Sequence, residues 1–423
     1  MLDKPIHVIG LGVAETAELS LPAKRALQHA ELVIGAQRQL AIVDSLLAPG
    51  QRCIVLPKLA QLKALLQHHA NQSIAVLASG DPLYYGIGAW LAKQFQAQRL
   101  QFYPAVSSLQ VACHRLGLAL QNVTVVSLHG RPLLSIRRYL KRRARLLVLT
   151  DQHSQPQHLA GECCAANFAE STLTVCEKLG YASEKISRFG AAALLRGTHN
   201  FDALHVTYID VLGEGGIQPE CPGIPDEHFA TGEEPGKGMI SKREVRLAIL
   251  SFMQVAKNDV VWDIGAGCGG VAVELALWQP QATIYAIEYH KQRLNYLQQN
   301  REHFGVVENL QLIEGRAPQA LSELPAANKV FIGGSDGELP VLLNWVWQML
   351  PLHGVMVVSS VVHRSRQQLH QFASTLQPNQ LECLSLSVQR GLLSHAEICY
   401  TAKRPVDIFK FTKFKNRQVG SEL

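Results

Sequence analysis

The chain has 423 residues, more than one hydrophobic core usually serves, so two or three domains are expected. Hydrophobic residues make up 47% and charged residues 17%, which excludes a disordered chain. The net charge of +6 is uneven: residues 131–145 carry seven basic side chains and no acid, residues 401–423 carry six basic and two acidic, and the remainder is slightly acidic. A chain-wide nucleic-acid binder is thereby excluded.

In chain order, short β-branched runs alternate with helical patterns: IHVIGLG, the helix LPAKRALQHA, ELVIGA, SIAVLASGD, VTVVSLHG, RLLVLT, STLTVCEKL and HVTYIDV. This is the α/β pattern of parallel strands joined by helices. Basic residues Arg137, Arg138, Lys141, Arg142 and Arg143 read as the solvated face of an amphipathic helix. Residues 213–227 (GEGGIQPECPGIPDE), with four Gly and three Pro, read as a linker. A second α/β series follows: DVVWDIGAG, ATIYAIEYH, LQLIEG, KVFIGGSDG, GVMVVSSVV and EICYTA. Leu339–His363 carries no charge and has the length of a bilayer span, but Pro340, Pro351 and Gly354 break it into a buried helix, a turn and a buried strand. The expected division is 1–215 and 226–402 as two α/β domains, with 403–423 as a basic tail.

The nine cysteines are odd in number, scattered and without a C-x-x-C pair, so neither a disulfide framework nor a metal site is expected. The opening MLDKPIHVIGLG lacks a signal-peptide pattern, and reduced thiols in a cytoplasmic setting are the simple expectation.

Chemistry concentrates in loops at strand ends. Val260–Gly270 reads VVWDIGAGCGG, a strand running into a glycine turn before the helical pattern VAVELALW. Glycines let the backbone approach a ligand closely, and the following helix offers free N–H groups. Gly265, Gly267 and Gly270 fit G-x-G-x-x-G, so a dinucleotide site must be weighed. Asp263 stands where a carboxylate reaches an ammonium group, and Glu288, 23 residues after Gly265, stands where an acid bonds ribose hydroxyls. An amino acid joined to a nucleoside, S-adenosylmethionine, suits both acids better.

An acid followed by G-x-G-x-G resembles the first motif of class I methyltransferases. With GKGMISKREVR, EGRAP and GGSDGEL, the second half is similar to the decarboxylating precorrin methyltransferase domain of cobalamin biosynthesis. That resemblance implies that Ser241, Asp263, Gly265, Ala266, Gly267, Cys268, Gly269, Glu288 and Ala317 hold the cofactor. Gly333 and Gly334 then lie beside the reacting centre. Cys268 departs from the Thr or Ser usual there. In the first half, SGDPLYYGIG (79–88), YPAVSSLQVAC (103–113) and VVSLHGR (125–131) resemble the tetrapyrrole methylase family, which implies cofactor contacts from Gly12, Gly80, Asp81, Tyr84, Ser107, Ser108 and Thr150. The first loop departs from the family's Gly-Pro-Gly-Asp, reading Gly12-Val13-Ala14-Glu15.

The implied architecture is a tetrapyrrole-methylase fold of two α/β subdomains followed by a Rossmann-like class I methyltransferase. The order of the halves resembles the bifunctional precorrin carbon-5,15-methyltransferase family, which implies a precorrin substrate and a homo-oligomer. Arg131, Arg316 and Arg390 are candidate partners for its carboxylates, while Glu338 and His363 read as structural rather than as proton donors. An RNA methyltransferase using the basic helix and the FKFTKFKNR tail remains the alternative. A non-catalytic cofactor-binding regulator and a nicotinamide dehydrogenase are further ones.

Overall fold

The computed structural model describes residues 4–216, 218–395 and 397–415. The chain divides into two compact units, one formed by Met1–Gly130 with Arg142–Gly213, the other by Arg131–Lys141 with Glu214–Leu423.

The first unit is built on two sheets. Strands β1 (Ile6–Gly10), β2 (Leu32–Gly35), β3 (Arg52–Val55), β4 (Ile74–Ala78) and β5 (Leu100–Tyr103) form an all-parallel sheet in the order β3-β2-β4-β1-β5. Side chains of a strand alternate between faces, so Ile9, Val33 and Leu77 pack in one core layer while Val8, Ile34 and Val76 pack in another. Strands β6 (Thr124–Ser127), β7 (Arg145–Leu149), β8 (Thr172–Glu177), β9 (Lys185–Gly190) and β10 (His205–Asp210) form the second sheet in the order β6-β7-β10-β8-β9. Here the all-parallel expectation fails. β10 runs antiparallel to both β7 and β8; it is buried on both faces, so its side-chain pattern carries no mark of direction.

The second unit carries a seven-stranded sheet of β11 (Val260–Ile264), β12 (Thr283–Glu288), β13 (Leu310–Glu314), β14 (Lys329–Ile332), β15 (Val355–Ser360), β16 (Leu381–Leu386) and β19 (Val406–Thr412). Its order is β13-β12-β11-β14-β15-β19-β16, with β19 antiparallel to both neighbours. A separate hairpin pairs β17 (Gln389–Ser394) with β18 (Glu397–Ala402), the expected final strand. The uncharged run is the buried-faced helix Leu339–Met349 followed by a turn and β15, as read. No helix of the described residues is long and apolar enough to cross a membrane.

Both basic segments differ from expectation. Arg131–Lys141 packs with the second unit, and Leu133–Tyr139 is a short tight helix rather than an exposed amphipathic one. Arg138 is 8% exposed. It donates to the Ala276 and Leu277 carbonyls at 2.9 and 3.2 Å, at the carboxyl end of helix Gly270–Trp278, where a cation complements the helix dipole. The segment after residue 402 is not a tail in the described residues either: β19 buries Ile408 on one face of the sheet and Phe409 and Phe411 on the other. Its lysines are also engaged, Lys410 with Glu382 at 2.8 Å and Lys413 with the Trp347, Gln348 and Leu350 carbonyls. Residues 416–423 of the expected tail lie outside the described residues.

The expected linker is docked at its far end. Gly223 and Ile224 N–H groups donate to the Glu274 carboxylate at 2.8 and 3.1 Å. Arg246, fully buried, bridges Glu274 at 2.9 Å and Asp226 at 2.7 Å. An acid within the otherwise apolar stretch VAVELALW was the sequence signal for this buried pair.

Candidate active site

In the second unit the carboxyl ends of β11, β12, β13 and β14 open on a cavity of about 730 Å³, at the point where the strand order reverses between β11 and β14. Ser241, Asp263, Gly265, Ala266, Gly267, Glu288, Arg316, Ala317, Gly333 and Gly334 all line it. Gly265 has φ +71, and a Cβ there would meet Gly334 backbone atoms at 2.6–2.8 Å. Gly267 has φ +59, and its Cβ would lie 2.5 Å from the Met239 carbonyl oxygen. Any side chain at either position displaces backbone, so the loop needs glycine there.

Glu288, 2% exposed, ends β12 and fastens the loop. One carboxylate oxygen accepts from the Gly267 N–H at 2.9 Å, the other from the Tyr289 and His290 N–H groups at 2.9 Å each. Asp263 is 1% exposed; no side chain pairs with its carboxylate, which faces the Ala272 N–H. Burial, against the Ala272 N–H and with the charge of Glu288 adding, pushes its carboxyl up to about 7. A buried acid without a cation at a cavity wall is the fitting for a cationic group.

Three expected site residues lie outside the cavity lining. Cys268 is 1% exposed and lies off the cavity: its N–H donates to Met239, its carbonyl accepts from Asn300, and burial raises its thiol. Gly269 also lies off the cavity, its Cβ position 2.0 Å from a Leu297 methyl. Arg390 does not line it, being held by Glu244 at 2.8 Å and Asp226 at 3.0 Å. Arg131 packs with the second unit, 3.9 Å from Glu308. Glu338 caps the helix Leu339–Met349, and His363 begins the helix His363–Ala373. Sequence reading missed Met239, Ile240 and Lys242, which line the cavity beside Ser241.

In the first unit the loops after β1, β4 and β5 converge. Gly12 and Gly80 bridge, the Gly80 N–H donating to Gly12 at 3.1 Å, and a Cβ on Gly80 would sit 3.2 Å from Ser107 Cα. Asp81 accepts from the Leu83 and Tyr84 N–H groups at 2.8 and 3.0 Å, folding the loop on itself. Ser107 Oγ caps the helix Ser108–Leu116 by accepting from the Gln110 N–H at 3.3 Å. Tyr84 packs its ring against the core containing Leu109 and Cys113, and burial raises its phenol.

Thr150 ends up on the second sheet, its hydroxyl 2.7 Å from His205 Nε2. The other ring nitrogen lies 2.7 Å from the Asp202 carbonyl. A carbonyl only accepts, so Nδ1 carries the proton and Thr150 donates to Nε2. His205 was not singled out from the sequence, and its separation of 55 residues from Thr150 left no local signal.

A glycine cradle at the strand switch point, backed by a buried acid that no cation pairs, fits a methyltransferase of the α/β class. Family models match both halves: one described as tetrapyrrole (corrin/porphyrin) methylases over residues 5–194, the other as a precorrin methyltransferase domain over residues 235–413. The precorrin-6Y C(5,15)-methyltransferase (decarboxylating) of Sinorhizobium sp is 37% identical over 335 residues, 79% of this chain and 79% of that protein. The protein of the same name from Mycobacterium tuberculosis is 30% identical over 362 residues, 85% of this chain and 88% of that protein. The crystal structure of a precorrin-6y C5,15-methyltransferase from Geobacter metallireducens GS-15 is 31% identical, covers 45% of this chain and 98% of its own, and superposes with a TM-score of 0.42. The chain belongs to the precorrin-6Y C(5,15)-methyltransferase (decarboxylating) family.

Proposed function

We propose that the chain methylates precorrin-6B at carbons 5 and 15 with S-adenosylmethionine and decarboxylates the acetate on carbon 12. The first unit serves carbon 5; the second serves carbon 15 and the decarboxylation. The observation that carries this reading is Asp263, a buried carboxylate that no cation pairs on the wall of the glycine-lined cavity.

When bound, S-adenosylmethionine supplies an electrophilic methyl group on a sulfonium. Asp263 would take its ammonium, and Glu288, already oriented by three N–H groups, its ribose hydroxyls. Gly265 and Gly267 keep the cradle open to the ligand. Methyl transfer is an in-line displacement, so alignment does most of the work; positioning supplies about 7–11 kcal/mol in favourable cases. The absence of side chains at Gly333 and Gly334 leaves room for a flat macrocycle at the cavity wall. Decarboxylation breaks the bond to the carboxyl carbon and releases carbon dioxide; the conjugated ring of the substrate takes up the electron pair, and a proton from solvent then completes the methyl group left on carbon 12.

The RNA reading loses part of its support, since Arg138, Lys410 and Lys413 are held by internal partners. Calorimetric titration with S-adenosylmethionine tests the two-site assignment. Two sites per chain are expected, and Gly267→Ala removes one of them together with carbon-15 methylation and carbon dioxide release, while carbon-5 methylation continues. A single site in the parent chain, or loss of all three activities in the variant, contradicts it.

A further inference from the structure

Three strand ends of the second unit meet at the cavity: Tyr289 follows β12, Arg316 follows β13 and Asp336 lies in the turn after β14. Arg316 donates through Nη2 to Asp336 Oδ2, and the Tyr289 hydroxyl donates to the same oxygen at 3.2 Å. The Arg316 guanidinium lies over the Tyr289 ring, 5.5 Å from its centroid. The three side chains form a clasp over the cavity wall.

This clasp is poorly placed to hold the fold together. The Arg316 and Asp336 side chains are each 50% exposed, and ion pairs in water contribute little to stability. Asp336 also adopts φ +44, a left-handed backbone that side-chain-bearing residues adopt rarely, Asp and Asn most readily. A carboxylate has been placed on a cavity-lining arginine at some backbone cost and with little folding gain.

We propose that Asp336 stands in for a substrate carboxylate. Arg316 exchanges it for an acetate or propionate carboxylate of the incoming macrocycle, while the Tyr289 ring keeps the guanidinium plane oriented in both states. The inference rests on the precorrin reading above. One arginine–carboxylate pair is exchanged for another, so the empty cavity never leaves Arg316 without an anion. Asp336 therefore competes with the substrate and repels anions that cannot displace it, which makes it a determinant of specificity.

Binding of a polycarboxylate porphyrin to the full chain, followed by fluorescence, tests the exchange without requiring turnover. The KM for precorrin-6B in the carbon-15 reaction is measured in parallel. Asp336→Asn keeps the shape and tolerates the left-handed backbone; Asp336→Gly, which adopts that φ freely, replaces it should the Asn protein not fold. Removal of the competing charge is expected to lower the porphyrin Kd and the KM about three- to tenfold, a coupling of ordinary size for contacting residues. Arg316→Ala raises both, and in its background Asp336→Asn has no further effect. The methyl-esterified porphyrin does not distinguish Asp336→Asn from the parent. An Asp336→Asn protein with unchanged or raised porphyrin Kd, or with the same effect whether or not Arg316 is present, overturns the exchange. Absence of precorrin turnover with the porphyrin results intact overturns the substrate reading instead.

Discussion

Asp263 is a single residue whose protonation couples folding to ligand binding. Its carboxyl is pushed from 3.8 to about 7 by burial, so between these values the folded chain holds a proton that the unfolded chain has released. Stability contributed by that proton is full below pH 4 and is lost as pH rises to 7, by at most about 1.4 kcal/mol per pH unit. Binding of the ammonium needs the charged form, so affinity for S-adenosylmethionine rises between pH 6 and 8. Asp263→Asn removes the slope and weakens binding. Titrations at pH 6, 7 and 8 check this, and a pH-independent affinity in the parent chain contradicts it. Asp263, Gly265, Gly267 and Glu288 were legible in the sequence because one strand, its turn and the next strand carry them all. Cys268 was grouped with them for the same reason. Its neighbours line the cavity, but the turn carries its thiol into the core. Arg390 carried no signal of its partners, which lie 146 and 164 residues away.

At the scale of elements, two details make sharp predictions. Arg246 neutralises two buried acids, Asp226 and Glu274, on segments far apart in sequence. Arg246→Ala leaves Glu274 without a cation and Asp226 with Arg390 alone, and breaking such a buried pair costs about 3–5 kcal/mol. Urea denaturation followed by tryptophan fluorescence reads the loss as a lower midpoint, since Trp262, Trp278, Trp345 and Trp347 of the five tryptophans all lie in the second unit. An unchanged midpoint contradicts the role given to this network. Truncation after Pro405 removes β19 and with it Ile408, Phe409 and Phe411 from the core layers on both faces of the sheet. The expected result is loss of the second unit's cooperative transition and of one cofactor site; a truncated chain that still binds two equivalents refutes it. Strand existence was legible for β1, β4 and β11, whose apolar runs end in glycine turns, and for β12, whose run ends at Glu288. β19 was hidden because Lys410, with Lys413 and Lys415 just after it, marks the segment by charge, although Ile408 opposes Phe409 and Phe411 as a strand requires. The antiparallel β10 could not be read, since direction leaves no trace in a strand buried on both faces.

For the whole molecule, the uneven positive charge turns out to serve the fold more than a partner. The 131–141 segment and β19 both place cations on carbonyls and carboxylates of the second unit. The order of two methyltransferase units was legible from the four separated motifs of the second half and the loop motifs of the first. The exact unit boundaries were not, because residues 131–141 leave the segments that flank them in sequence to pack with the second unit. In the function proposed above, the chain catalyses two methyl transfers and one decarboxylation on a single macrocycle. The most direct measurement incubates it with methyl-labelled S-adenosylmethionine and precorrin-6B, counting label on the tetrapyrrole and carbon dioxide released. Two methyl groups and one carbon dioxide per macrocycle are predicted; a single methyl without carbon dioxide, or label appearing only in added RNA, contradicts the account.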